Sequence, residues 1–258
     1  MSENSIILER KGPSATLRLN RPGKRNALTL GMWRQMIALL KEVKDDPSVS
    51  MLTVAGTGNA FAAGADIEEM KAVFEDPAAA SAIAETTYEA QQALHRFPKP
   101  TLAVIRGACV GGGCGIALCC DLRFADRSAK LGITPGKLGL VYSLADTKRL
   151  VDAVGPSIAK DILYTGRIIE ATEAKDLGLI DRLVNANHLD EVAEDFVSQV
   201  CQASQFSAQS TKQIMGMIFD GLSEDTEKTR DMFVEAFAGE DFNEGFSAFM
   251  EKRKPKFS

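Results

Sequence analysis

Two glycine-rich segments of the 258-residue chain hold most of the chemistry that its residue types allow: Phe61-Ala62-Ala63-Gly64-Ala65-Asp66 and Gly111-Gly112-Gly113. Each follows an apolar run that reads as a strand and precedes a helical pattern. Backbone N–H groups at such a turn lack intrahelical acceptors, and the helix dipole adds partial positive charge. They can therefore hold an anion, or an oxygen that becomes one during a reaction. Two such turns side by side would form an oxyanion hole. On composition alone, glycines that only permit tight turns and close packing meet the same pattern.

Other chemistries have little material. His95 and His188 are the only histidines and stand far apart in the sequence, so His-based triads and HExxH-type zinc sites are not supported, and both read as surface or helix-end residues. Of five cysteines, Cys109, Cys114, Cys119 and Cys120 lie in one apolar stretch and Cys201 stands apart. Their spacing is not that of zinc ligands, so no metal is expected, and they read as small buried hydrophobes in a reducing compartment. There is no P-loop and no GxGxxG.

A net charge of −5 argues against nucleic acid as the main partner. With 45% hydrophobic and 25% charged residues the composition is that of a globular protein with one substantial core. No apolar run approaches the roughly 18 residues of a membrane helix, so no membrane partner is expected. The opening Met-Ser-Glu-Asn-Ser lacks the features of a secretory or transit signal, and a cytoplasmic location is the expectation.

The elements that must position the two turns follow from periodicity. Ser5 to Leu8 and Ala15 to Leu19, parted by Lys11-Gly12-Pro13-Ser14, predict a hairpin. Leu30, Trp33, Met36, Ile37 and Leu40 mark one face of a helix over 28–43. Val49 to Ala55 and Thr101 to Ile105 read as buried strands, and Leu122 to Ala125 and Ala129 to Ile133 as shorter ones. The Ala-rich stretch 78–96 reads as a helix that stops before Phe97-Pro98-Lys99-Pro100.

Alternating strands and helices predict an α/β fold with parallel pairing. From Leu144 the pattern is mostly helical: Leu189, Val192, Phe196 and Val200 form one stripe, and 207–221 and 226–238 are similar. No linker divides the chain. The expectation is a core over 1–200 and a helical C-terminal region over 201–258.

The same motifs carry a family resemblance. Leu19-Asn20-Arg21-Pro22 with Asn26-Ala27-Leu28, then Phe61 to Ile67 with Glu69-Met70, then Gly107 to Cys114, resemble the crotonase superfamily, the enoyl-CoA hydratase/isomerase family. Thr165-Gly166-Arg167, Ala174 with Gly178-Leu179-Ile180, and Glu244-Gly245 through Arg253 extend the resemblance over essentially the whole chain. It implies a ClpP-like ββα superhelix with a helical C-terminal trimerisation region. It also implies an acyl-CoA thioester whose carbonyl meets the backbone N–H groups of Ala63 and Gly112, donors that stabilise an enolate. Ala65, Asp66 and Ile67 would lie by the adenine of coenzyme A, and Lys24, Arg25, Lys252 and Lys254 would contact its phosphates. Coenzyme A is then part of the substrate and no separate cofactor is implied. A homotrimer or homohexamer is expected, with C-terminal segments of neighbouring copies covering the site.

One departure bears on the reaction. Hydratases of the family carry a glutamate after the Gly-Gly-Gly-Cys turn and a second about twenty residues later, where this chain has Gly115 and Pro135. Thr134-Pro135 with Leu138-Gly139 and Tyr142 resembles the decarboxylating branch typified by methylmalonyl-CoA decarboxylase. In that branch loss of CO₂ itself generates the enolate; Thr134 and Tyr142 would orient the carboxylate, and Tyr142 could return a proton. From the residues alone, Tyr142 also reads as an amphipathic core residue and Thr134 as a cap before Pro135. Two alternatives stay open. One is an enoyl-CoA hydratase or isomerase using Tyr142, Asp146 or a water. The other is a non-catalytic member binding coenzyme A or RNA.

Overall fold

Parallel strands buried on both faces show as near-continuous apolar runs, because helices cover each side of such a sheet. In the computed structural model, which describes residues 5–257, the main sheet is built this way. The reading of the first four residues lies outside that range. A hairpin of β1 (Ile6–Lys11) and β2 (Ser14–Leu19) opens the chain, followed by α1 (Leu30–Asp45), β3 (Met51–Gly56), α2 (Ile67–Glu75), α3 (Pro77–His95), β4 (Thr101–Ile105), β5 (Ala108–Val110) and α4 (Gly112–Cys119). Then come β6 (Leu122–Asp126), β7 (Lys130–Gly132), α5 (Leu144–Thr165), β8 (Ile168–Glu170), α6 (Ala171–Asp176), β9 (Arg182–Val184), α7 (Leu189–Gln202), α8 (Gln205–Phe219), α9 (Glu227–Ala238) and α10 (Glu240–Met250).

The main sheet has the order β1-β2-β3-β4-β6-β9. Only the β1–β2 pair is antiparallel. Register places Leu17 against Val54, Val54 against Ala103, and Val104 against Phe124. Alternate residues therefore feed two cores. Leu52, Val54 and Ala103 pack with Trp33, Met36, Leu94 and Ile116 on one side. Met51, Ala55, Leu102, Val104 and Phe124 pack on the other with Leu189, Ala193 and Phe196 of α7. The stripe read at Leu189, Val192, Phe196 and Val200 is the face that α7 lays on the sheet.

A second sheet, β5-β7-β8, carries the glycine turn into α4. The chain passes from β4 to β5 through Gly107, whose φ is +54° and where a Cβ would collide with the Asn59 carbonyl oxygen. Only glycine fits that bend. Helix α4 is apolar all round and buried from Gly113 to Cys119, as expected of a helix enclosed by others.

Three short strands, β5, β8 and β9, escape the sequence reading. Each has three residues, too few for a periodicity to register. The helical stretch beginning at Leu144 is one element with a kink at Gly155, where φ is 77° just before Pro156. No helix among the described residues is long and apolar enough to cross a membrane.

Candidate active site

Ligands of parallel α/β sheets bind beyond the carboxyl ends of the strands, and the two glycine turns emerge there. Loop 20–28 leaves β2, loop 57–66 leaves β3, and the segment around Gly107 leaves β4. Asn26, fully buried with φ at 56°, ties the first two together: its amide donates to the carbonyls of Thr57 at 3.0 Å and Ala60 at 2.7 Å. Isolated parallel bridges join Leu28 to Ala65 and Ala62 to Cys109. The three loops thus stack edge to edge.

That stacking decides which N–H groups are available. The Ala63 N–H is used, donating to the Arg25 carbonyl at 3.0 Å. In the bridge at Leu28, the Leu28 N–H donates to the Gly64 carbonyl at 2.8 Å and the Asp66 N–H donates to the Leu28 carbonyl at 2.9 Å. Ala65, between them, points its N–H the other way and has no acceptor among the described residues. The expected assignment of a donor to Ala63 is therefore corrected by two residues, to Ala65. The alternation of a parallel bridge turns every second N–H outward, and the motif alone does not reveal its phase.

At the second turn the expected N–H is unengaged. Gly111 donates to the Gly132 carbonyl at 2.8 Å, and the next N–H, that of Gly112 at the start of α4, has no backbone acceptor among the described residues. A Cβ on Gly111 would touch Gly64 Cα at 3.7 Å, so the two turns are in contact. One face of the Gly112 backbone looks onto Leu28 and Trp33, which a Cβ there would meet at 3.1 and 3.2 Å.

The turn residues read as adenine neighbours divide in two. Asp66 is buried and fully engaged: it pairs with Arg21 at 2.8 Å and accepts the Glu68 N–H at 2.9 Å, capping α2. Burial works to raise its pKa, but the hydrogen bonds from Arg21 and the Glu68 backbone hold it below the usual carboxylate range. Its side chain is thereby committed to the fold. Ile67, by contrast, is 75% exposed at the mouth of the site. Glu69 accepts the Leu30 N–H at 2.7 Å and so caps α1.

Lys24, exposed, lies 3.3 Å from Glu68, and Arg25, exposed, adopts a left-handed backbone with φ of 48° that aims its carbonyl at Ala63. Both sit beside the first turn. Lys252 and Lys254 do not. Their segment is bound to Glu244 of α10 through Arg253, at 2.6 Å, and Lys256. Phe257, further along it, reaches the cleft lined by Pro13, Lys44, Ser50 and Lys99, at the amino ends of β3 and β4. Within one copy the tail and the turns are at opposite ends of the sheet, so the four basic residues are not brought together.

Behind the second turn lies a buried polar cluster that the sequence only partly signals. The Tyr142 hydroxyl is buried with no hydrogen-bond partner among the described residues. A Cβ at position 115 would lie 2.5 Å from Gln91 Nε2, 3.4 Å from Asp146 Oδ1 and 3.5 Å from the Tyr142 oxygen. Asp146 accepts from Arg149 at 3.0 Å and from the Ser143 hydroxyl at 2.8 Å. Burial nevertheless raises its pKa. Burial, and then the Asp146 charge, push the Tyr142 phenol well above its ordinary value, so it stays protonated. Thr134 is half-buried at the edge of the second turn, its methyl facing Gly132. Gln91 was missed altogether. The one signal it gives is a polar side chain on the buried stripe of α3 with Ala90 and Leu94.

The family model for enoyl-CoA hydratase/isomerase matches residues 9–258. The chain belongs to the enoyl-CoA hydratase/isomerase family. Crotonyl-CoA hydratase of Syntrophomonas wolfei is 33% identical and 2,3-dehydroadipyl-CoA hydratase of Escherichia coli 32%, each aligned over all of this chain and 99% of the relative. A solved enoyl-CoA hydratase/isomerase family protein from Hyphomonas neptunium superposes with a TM-score of 0.96 at 44% identity, covering 98% of this chain and 97% of that one. The crotonase fold is thereby shown.

His95, at the end of α3, borders the cluster. Its pKa is lowered from 6.5 to about 4, first by burial and then by Arg149, Arg96 and Lys212, with Asp121 opposing. The unfolded chain therefore binds a proton near pH 6.5 that the folded chain refuses until about pH 4. This contribution is complete above pH 6.5 and is lost as pH falls through that window. Thermal unfolding measured from pH 7 to 4 is expected to show a Tm that falls with acidification, and His95→Gln to flatten that part of the slope.

Proposed function

We propose that this enzyme forms an enolate from an acyl-CoA thioester held by the N–H groups of Ala65 and Gly112, and that it acts as a malonyl-CoA-type decarboxylase. The observation that carries this reading is the buried, unpartnered Tyr142 hydroxyl beside Gly115. It is a protonated donor next to position 115, and neither position 115 nor position 135 carries a carboxylate. When CO₂ leaves, the electrons of the broken C–C bond pass to the α-carbon and the thioester oxygen. The two N–H donors stabilise that oxyanion. Tyr142 then gives its proton to the α-carbon and regains one from solvent. Thr134 orients the departing carboxylate at the edge of the second turn. No activated water is needed.

The adenine of coenzyme A lies against exposed Ile67, with Lys24 and Arg25 near its phosphates. Lys252 and Lys254 serve the site only from a neighbouring copy, which fits a homotrimer or dimer of trimers. The aromatic ladder Phe233, Phe237, Phe242 and Phe246, exposed on α9 and α10, supports such packing.

Hydration is the second reading. It is favoured by the Asp146 carboxylate at the same face of α4 and by relatives named for hydration. Incubation with crotonyl-, a longer 2-enoyl-, malonyl- and methylmalonyl-CoA, with products resolved by mass, separates the two. Loss of CO₂ from a malonyl-type ester is the expected result, and water addition at high efficiency would overturn it.

A further inference from the structure

The residue at position 115 lies one helical turn beyond the Gly112 donor, on the side of α4 that meets α3 and α5. A glycine there could simply open space, but the space is filled. Gln91 reaches across from α3, and its Nε2 stands 2.5 Å from where the Cβ of residue 115 would be. Only 3% of Gln91 is exposed, and Asp146 Oδ1 stands at the same spot, 3.4 Å from that Cβ position. Asp146 is fixed in turn by the Ser143 hydroxyl, by Arg149, and by its place in the first turn of α5. The Tyr142 hydroxyl closes the same spot from the other side.

We propose that Gln91 is the residue that sets which reaction this site performs: its amide, beside Asp146, occupies the position of the missing residue 115 side chain and presents a group that is neither acid nor base. An amide at that spot can donate or accept a hydrogen bond but transfers no proton at neutral pH. It adds no acid or base of its own beside Tyr142 and Asp146. The inference rests on the acyl-CoA reading with decarboxylation as its reaction.

Gln91→Glu tests this directly. It would set a second carboxylate against Asp146 in a buried site, where like charges force one of the pair to keep its proton. A protonated and an ionised carboxylate side by side are the acid and base that water addition uses. Two further variants address the same amide by independent routes: Gln91→Ala removes it, and Gly115→Ala displaces it with a Cβ.

The full-length chain and these variants are assayed on crotonyl- and malonyl-CoA with products resolved by mass, alongside KM and thermal unfolding. Gln91→Glu is expected to raise the rate of water addition relative to CO₂ loss by about 100-fold. Gln91→Ala and Gly115→Ala are expected to lower kcat without changing KM. Their double variant should be no worse than either alone, because both act on one group. Unchanged relative rates in Gln91→Glu, or losses in all variants that follow only their melting temperatures, would overturn the inference and leave Gln91 a packing residue. Should the unaltered protein turn over no thioester, the acyl-CoA reading itself falls. Should it hydrate crotonyl-CoA efficiently, the decarboxylase reading falls and this inference with it.

Discussion

Replacing Gly112 by proline is expected to lower kcat on the CoA thioester by about 100- to 1,000-fold while leaving the fold in place. Gly112 is the first residue of α4, the position where proline is tolerated because the missing N–H has no intrahelical partner. Its backbone φ is not in the left-handed region, so a ring closed on the nitrogen meets no conformational bar there. The added carbons approach Leu28 Cδ1 at 3.1 Å and Trp33 Cζ2 at 3.2 Å, side-chain atoms able to shift by a few tenths of an ångström. What proline removes is the Gly112 N–H, one of the two donors proposed for the thioester oxygen. Gly112→Ala is the control, since it adds the same Cβ and keeps that N–H. A loss with alanine as large as with proline would assign the effect to packing and withdraw Gly112 from the oxyanion hole.

The control matters because the sequence marks where a turn lies more readily than which of its atoms is free. Strongly periodic elements were legible: the hairpin, the α1 face of Trp33 and Met36, the buried strands at β3 and β4, and the α7 stripe each express one repeating physical demand. The site is legible in its parts for the same reason, since glycine at Gly64 and Gly111 reports a backbone with positive φ. What did not follow were relations between segments. That Ala63 is spent on Arg25 while Ala65 is free depends on the phase of a bridge between loops about forty residues apart. That Asp66 is a cap and an ion-pair partner of Arg21 depends on a contact of the same kind. Gln91 is the extreme case: nothing near it in the chain points to Gly115, and only the packing of α3 on α4 brings them together.

Tyr142→Phe is expected to separate activity from stability, with opposite signs. The phenol oxygen is buried without a partner, and a desolvated, unpaired polar atom costs about 1–3 kcal/mol. Phenylalanine keeps the ring, which packs against the main core, and discards that atom. The variant should therefore melt at or above the temperature of the unaltered protein. A hydroxyl retained at a net cost to the fold fits a role in the reaction, and without it the α-carbon has no positioned donor. The rate of protonated product should fall by about 100- to 10,000-fold. Since burial and Asp146 hold the phenol protonated well past its ordinary range, the unaltered enzyme should show no alkaline loss of this donor below pH 10, its ordinary value. Differential scanning calorimetry and a pH–rate profile of both proteins check the two halves. A variant that is less stable and fully active would make Tyr142 a core residue whose hydroxyl is incidental. The proton would then come from the Asp146 side of the cluster, and the hydratase reading would gain what the decarboxylase reading loses.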